Sequence, residues 1–123
     1  MILVDTSVWV DHFRRDNARL RELLEEGTVL CHPFVIGELA CGTLHERAGI
    51  LSLLSALPGA QEAEHGEVLG FIESHKLYGK GLGWVDSHLL ASALLSHCSL
   101  WTLDKSLGRI MHQVRREASE APH

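Results

Sequence analysis

The chain has 123 residues, 46% of them hydrophobic and 22% charged, with a formal net charge of −5 at pH 7. This length fits one domain, and the apolar share is enough to fill one core without disulfides or a structural metal. The negative balance excludes a protein that holds nucleic acid by bulk electrostatics, and no apolar run reaches the ~20 residues needed to cross a bilayer.

Met1–Val4 is a short apolar run that meets Asp5-Thr6-Ser7, three good capping residues. It predicts a buried strand followed by a helix from Ser7 to about Arg14. Asp16-Asn17 caps a second helix through Glu26, with Leu20, Leu23 and Leu24 as its apolar stripe and Gly27 as its stop. Thr28–His32 reads as a second strand. Pro33 occupies a helix N1 position, and the apolar run Phe34–Leu44 continues as helix. A further helix is expected over Glu46–Ala56, ended by Pro58-Gly59. Gly59–Glu64 alternates poorly and is the weakest candidate for a third strand. Glu67–Lys76 is amphipathic helix, and Gly79–Gly83 is a loop that matches no phosphate-binding glycine motif. Trp84–Ser96, dense in Leu and Ala, is the clearest helix. Cys98–Leu103 is a strand closed by Asp104, Lys105–Met111 a short helix, and His112–Glu117 a candidate last strand. The expectation is one α/β domain over residues 1–116, a parallel sheet of four to five strands flanked by helices on both faces, with 117–123 as a frayed tail.

Cys31, Cys41 and Cys98 are odd in number and form no CxxC pair, which argues against a disulfide framework or zinc ribbon. Each lies in an apolar stretch and reads as a small hydrophobe. With no basic n-region and no long apolar h-region at the N-terminus, the expected compartment is the cytoplasm.

Four acids stand in unusual company. Asp5 is the only charge in Met1–Val10, Glu38 the only one between Pro33 and Leu44, and Asp86 the only one between Trp84 and Leu95. Asp104 closes the uncharged Cys98–Leu103 run. An unpaired buried carboxylate costs several kcal/mol, so such a group is paired, protonated or metal-bound. Basic partners are scarce in these segments, and crowded carboxylates raise each other's pKa unless a cation holds them ionised. Asp5 and Asp104 both follow strands, where open α/β sheets bind ligands. Asp86 lies in the first turn of its helix, and Glu38 shares a core-like face with Phe34, Val35, Cys41 and Gly42. An all-oxygen ligand set favours Mg²⁺, with Mn²⁺ as a second choice. Taken singly, each acid has an ordinary explanation: a helix cap for Asp5 and Asp104, a helix dipole for Asp86, a solvated edge for Glu38. One metal site accounts for all four together.

Other signals are weaker. Nine histidines include Cys41/His45 at helical spacing and His88 two residues after Asp86, yet four-ligand zinc spacing is absent. A histidine-dependent, metal-free nuclease is a separate possibility. A receiver-like domain needs an acceptor aspartate after a middle strand, which Gly59–Glu64 lacks. Arg14, Arg15, Arg19 and Arg21 form one basic cluster and Arg115-Arg116 another, and a solvated helix face explains them as well as a nucleic-acid contact does. Lys80 with the amides at the next helix start is a candidate phosphate contact.

Ile2-Leu3-Val4-Asp5-Thr6-Ser7, Ile36-Gly37-Glu38-Leu39, Trp84-Val85-Asp86-Ser87-His88-Leu89-Leu90-Ala91 and Leu100-Trp101-Thr102-Leu103-Asp104 resemble, in that order, the motifs of the PIN-domain family and of its VapC-type toxins. The resemblance implies a parallel sheet flanked by helices, an acidic Mg²⁺ site and a toxin ribonuclease that cleaves RNA with a metal-activated water. By position, Asp5, Glu38, Asp86 and Asp104 are the catalytic quartet, Asp5 and Asp86 the foremost metal ligands, and Thr6, Ser7 and Thr102 hydroxyls that orient carboxylates or water. Arg14, Arg15 and Lys80 become candidate RNA contacts. A cognate antitoxin bound in a hydrophobic groove is implied, with Leu51, Leu53, Leu54 and Leu57 as candidates for that surface, and so is a homodimer. Some family members carry a further acid after the last motif, where this chain has Gly108, so one or two metal ions are compatible with the pattern. The alternative is a PIN-like RNA- or protein-binding module without cleavage.

Overall fold

The computed structural model describes residues 1–120. Three short strands and seven helices follow in the order β1 (Ile2–Val4), α1 (Thr6–Arg15), α2 (Ala18–Glu25), β2 (Val29–Leu30), α3 (Pro33–Cys41), α4 (Arg47–Ala56), α5 (His65–Ser74), α6 (Trp84–Leu95), β3 (Ser99–Trp101) and α7 (Lys105–Glu120). The sheet runs β2-β1-β3 and is wholly parallel, with Leu3 opposite both Leu30 and Leu100. β1 is central, and Leu3 and Val4 are fully buried, as an apolar strand with a neighbour on each side requires. From β1 the chain crosses to β2 through α1 and α2. From β2 it returns past β1 to β3 through α3–α6. Right-handed crossovers running in opposite directions lie on opposite faces of a sheet.

The sheet has three strands rather than the expected four to five. Gly59 meets Cys31 in a single parallel bridge, with the Cys31 amide donating to Pro58 O and the Ala60 amide to Cys31 O, each at 2.9 Å. Residues 61–64 turn away instead of extending it. No strand forms over His112–Glu117. Leu107, Ile110, Met111 and Val114 are all buried at helical spacing, so α7 runs past Met111 and takes residues 112–120 with it. The tail expected from residue 117 is helical through 120, and the remainder lies outside the described residues.

α6 is enclosed on all sides, with every residue from Ser87 to Ala93 buried. α1 and α7 present one apolar stripe each, Val8 and Trp9 on the first. Cys31 and Cys98 are buried free thiols, whereas Cys41 is exposed and contributes nothing to the core. No described helix is long and apolar enough to cross a membrane.

Candidate active site

β1 and β3 both end at the edge where the crossovers diverge, the place at which open α/β sheets form a crevice. Asp5 follows β1 directly and is 6% exposed. It occupies the N-cap position of α1 without capping through its side chain. Instead the Ser7 and Thr102 hydroxyls each donate to its Oδ2 at 2.7 Å. Those hydroxyls in turn accept from the amides of Leu103 (2.9 Å) and Asp104 (3.0 Å). Both hydroxyl protons go to one oxygen, which leaves Oδ1 for another partner. The Asp5 amide donates to Trp101 O at 2.9 Å, so ladder and side-chain bonds clamp the ends of β1 and β3 together.

Asp86 comes from the first turn of α6. Its Oδ2 accepts from the Gly83 amide at 3.1 Å, and the side chain is half-buried. Burial pushes its carboxyl up from the ordinary carboxylate range. The Gly83 amide opposes this, while the charges of Asp5 and Asp104 push the same way. Asp86 therefore lies within electrostatic reach of both Asp5 and Asp104.

Asp104 immediately precedes α7 and accepts from the Leu107 amide on Oδ1 at 3.0 Å, so its helix cap is real. Glu38 accepts from the Thr6 hydroxyl at 2.7 Å, which ties α3 to the start of α1. Its surroundings differ from the expected core-like face. The buried stripe of α3 is Val35 and Leu39, and the neighbouring stripe of Phe34, Glu38 and Cys41 is exposed. Asp104 is exposed as well.

The donor chemistry fits a hard divalent ion. All four acids offer oxygen only, and none has a Lys, Arg or His partner within 4.0 Å among the described residues. No described group of three or more His, Cys, Asp or Glu side chains forms a ready-made cage. Mg²⁺ suits such an open site, because it keeps several waters and takes one or two carboxylates.

The basic candidates divide. Arg15 pairs with Asp11 at 2.9 Å, Arg19 with Glu22 at 3.3 Å, and Arg21 with Asp16. Arg115 bonds to Cys98 O. Arg14 and Lys80 are exposed and form no ion pair among the described residues. Beside Asp86 lies a chain of rings the sequence reading did not single out as a group. Phe34 and Trp84 pack against His88 with ring centres 4.5 and 4.6 Å away, and His65 packs on Trp84 at 5.0 Å. The signal was the helical spacing of Trp84 and His88. Burial lowers the pKa of both His32 and His88, and each keeps an unpartnered Nε2.

The sequence pattern of the PIN domain is matched over residues 2–112, a span that holds the whole quartet. The chain belongs to the PIN-domain family. It is similar to "Ribonuclease VapC32" of Mycobacterium tuberculosis, in its CDC 1551 and H37Rv strains, at 49% identity over 108 residues. That alignment covers 87% of this chain and 87% of each relative.

Proposed function

We propose that this PIN-domain protein is an Mg²⁺-dependent endoribonuclease, the toxin of a toxin–antitoxin pair, acting as one domain over residues 1–116. The observation that carries the reading is the Asp5–Ser7–Thr102 cluster beside Asp86 and Asp104 at the sheet edge. The ribonuclease relative that shares 49% identity over most of both chains supports the step to RNA.

Asp5, through Oδ1, and Asp86 are the residues that would hold the ion. Bound Mg²⁺ supplies the positive charge that metal-assisted phosphodiester hydrolysis needs. Ser7 and Thr102 aim the Asp5 carboxylate by donating to its other oxygen. Glu38, steadied by Thr6 and open to solvent, would take the proton of an attacking water. Asp104 spends Oδ1 on the α7 cap and keeps Oδ2 for a water or the ion. Attack by water, not by the ribose 2′-hydroxyl, gives 5′-phosphate and 3′-hydroxyl ends. The setting proposed is the cytoplasm, where RNA is found.

A second proposal concerns the antitoxin. An apolar groove of about 330 Å³ opens between α1, α2 and α4, lined by Trp9, Phe13, Ile50, Leu53, Leu54 and Leu57 among others. It suits an amphipathic segment of a cognate antitoxin. The remaining partner proposed is a second copy of the chain.

The deciding experiment incubates total cellular RNA with wild type and Asp86→Asn, with Mg²⁺ and with EDTA, and sequences the ends. Cleavage by wild type that needs Mg²⁺ and is lost in a folded Asp86→Asn protein is expected. Full activity in that variant, or indifference to EDTA, sinks the mechanism.

A further inference from the structure

A second cavity, of about 520 Å³, lies between α1, α3 and α4, with Glu38 and the Thr6 that follows Asp5 in its lining. Thr6 and Glu38, which bond to each other at 2.7 Å, both belong to its wall, and Glu38 is at the same time a member of the quartet. The rest of the wall is mixed. Val10, Phe13, Leu39, Leu44 and Ile50 are apolar, while Thr43, His45 and Glu38 present hydrogen-bonding groups. Arg14 is the only Lys or Arg in the lining and forms no ion pair among the described residues, unlike Arg15 next to it.

This combination limits the occupant. A phosphate group is disfavoured inside by Glu38. A purely hydrocarbon guest leaves Thr43, His45 and Glu38 unpaired at a cost. A flat heteroaromatic ring with a polar edge satisfies both kinds of wall, and its anionic chain finds Arg14 outside. Single-stranded RNA offers such rings, because unstacked bases are splayed out and read on their edges. The volume lies within the ~300–1,000 Å³ common to small-ligand sites.

We propose that the α1–α3–α4 cavity is a specificity subsite that holds one unstacked nucleobase next to the cleaved bond, with Arg14 on a flanking phosphate. The subsite rests on the nuclease reading above. It accounts for sequence selectivity in a protein of net charge −5, whose grip on the RNA backbone is weak.

The test uses an oligoribonucleotide carrying a mapped cut site and versions in which one flanking nucleotide at a time is abasic. Wild type should lose roughly tenfold or more in kcat/KM at one flanking position, in line with the worth of seating a single base. Gly42→Leu fills the cavity from its lining. The backbone there tolerates a side chain (φ −91°), and a Cβ meets only Leu39 O at an ordinary 3.5 Å. In this variant intact and abasic substrates should be cut alike, at the slow rate. Thr43→Trp is a second filling variant if the first does not fold. Wild type that cuts every abasic substrate as fast as the intact one overturns the subsite and leaves the nuclease standing. So does a penalty that persists unchanged in both folded filling variants, whether or not they lose antitoxin binding. Wild type that cuts no RNA with Mg²⁺ overturns the nuclease reading and the subsite with it.

Discussion

Thr102 joins two acids: its hydroxyl donates to Asp5 and accepts from the Asp104 amide. Thr102→Val keeps the shape and removes both bonds. A loss of about 1–3 kcal/mol in stability is expected from the unpaired polar groups. Mg²⁺ affinity or activity should fall roughly 10–100-fold, as for other groups that support a metal ligand, and Thr102→Ser should restore most of both. Urea denaturation and Mg²⁺ titration check the two effects. At this scale the acids were legible because each is a lone charge in an apolar run. Their burial was not. Isolation along the chain describes neighbours in sequence, and only Asp5 among the four is truly buried. Glu38 escapes because it lies one helical step from the Val35–Leu39 stripe. Ser7 and Thr102 were legible through the family motif, while their convergence on a single oxygen required the pairing of β1 with β3.

Three helices end in the same way. After α2, α5 and α6 the chain places Gly27, Lys76 and His97 in left-handed conformation, at φ 72°, 52° and 51°. Each is framed by two capping bonds, such as Cys98 N to Ala93 O and His97 N to Leu94 O at 3.1 and 3.2 Å. Glycine adopts this conformation freely and other residues are strained in it. Lys76→Gly and His97→Gly should each raise stability by about 0.5–1 kcal/mol, read as a higher urea midpoint at unchanged slope. An unchanged or lower midpoint in both contradicts the argument. Gly27 was recognisable as a stop in the sequence because it is glycine, whereas Lys76 and His97 carry no such mark. Most helices were legible from their apolar spacing. The full length of α7 is not legible because the stripe thins after Met111, with Val114 as its last buried member. The missing strand has a different cause: Pro58 and Gly59 permit one bridge to Cys31, and of the residues that follow only the small Ala60 and Ala63 are buried, while Gln61, Glu62 and Glu64 are exposed.

Across the whole molecule, the apolar groove and the base cavity share Phe13 and Ile50 as a common wall. Leu53 projects from the groove at 71% exposure. Leu53→Glu should therefore leave stability within about 0.5 kcal/mol of wild type and abolish capture of the cognate antitoxin. Light scattering of the chain alone and with antitoxin reads this and the homodimer together; undiminished capture by the variant contradicts the groove assignment. The order β2-β1-β3 has one more consequence, in time rather than in space. The middle strand is made first, at residues 2–4, and its second neighbour nearly last, at 99–101. Contacts so far apart along a chain form late, and domains assemble as units while they emerge from synthesis. Asp5 cannot receive the Thr102 hydroxyl until most of the polypeptide exists. On the proposed nuclease reading, a growing chain therefore lacks the completed acidic site, and a chain ended before Thr102 never gains it.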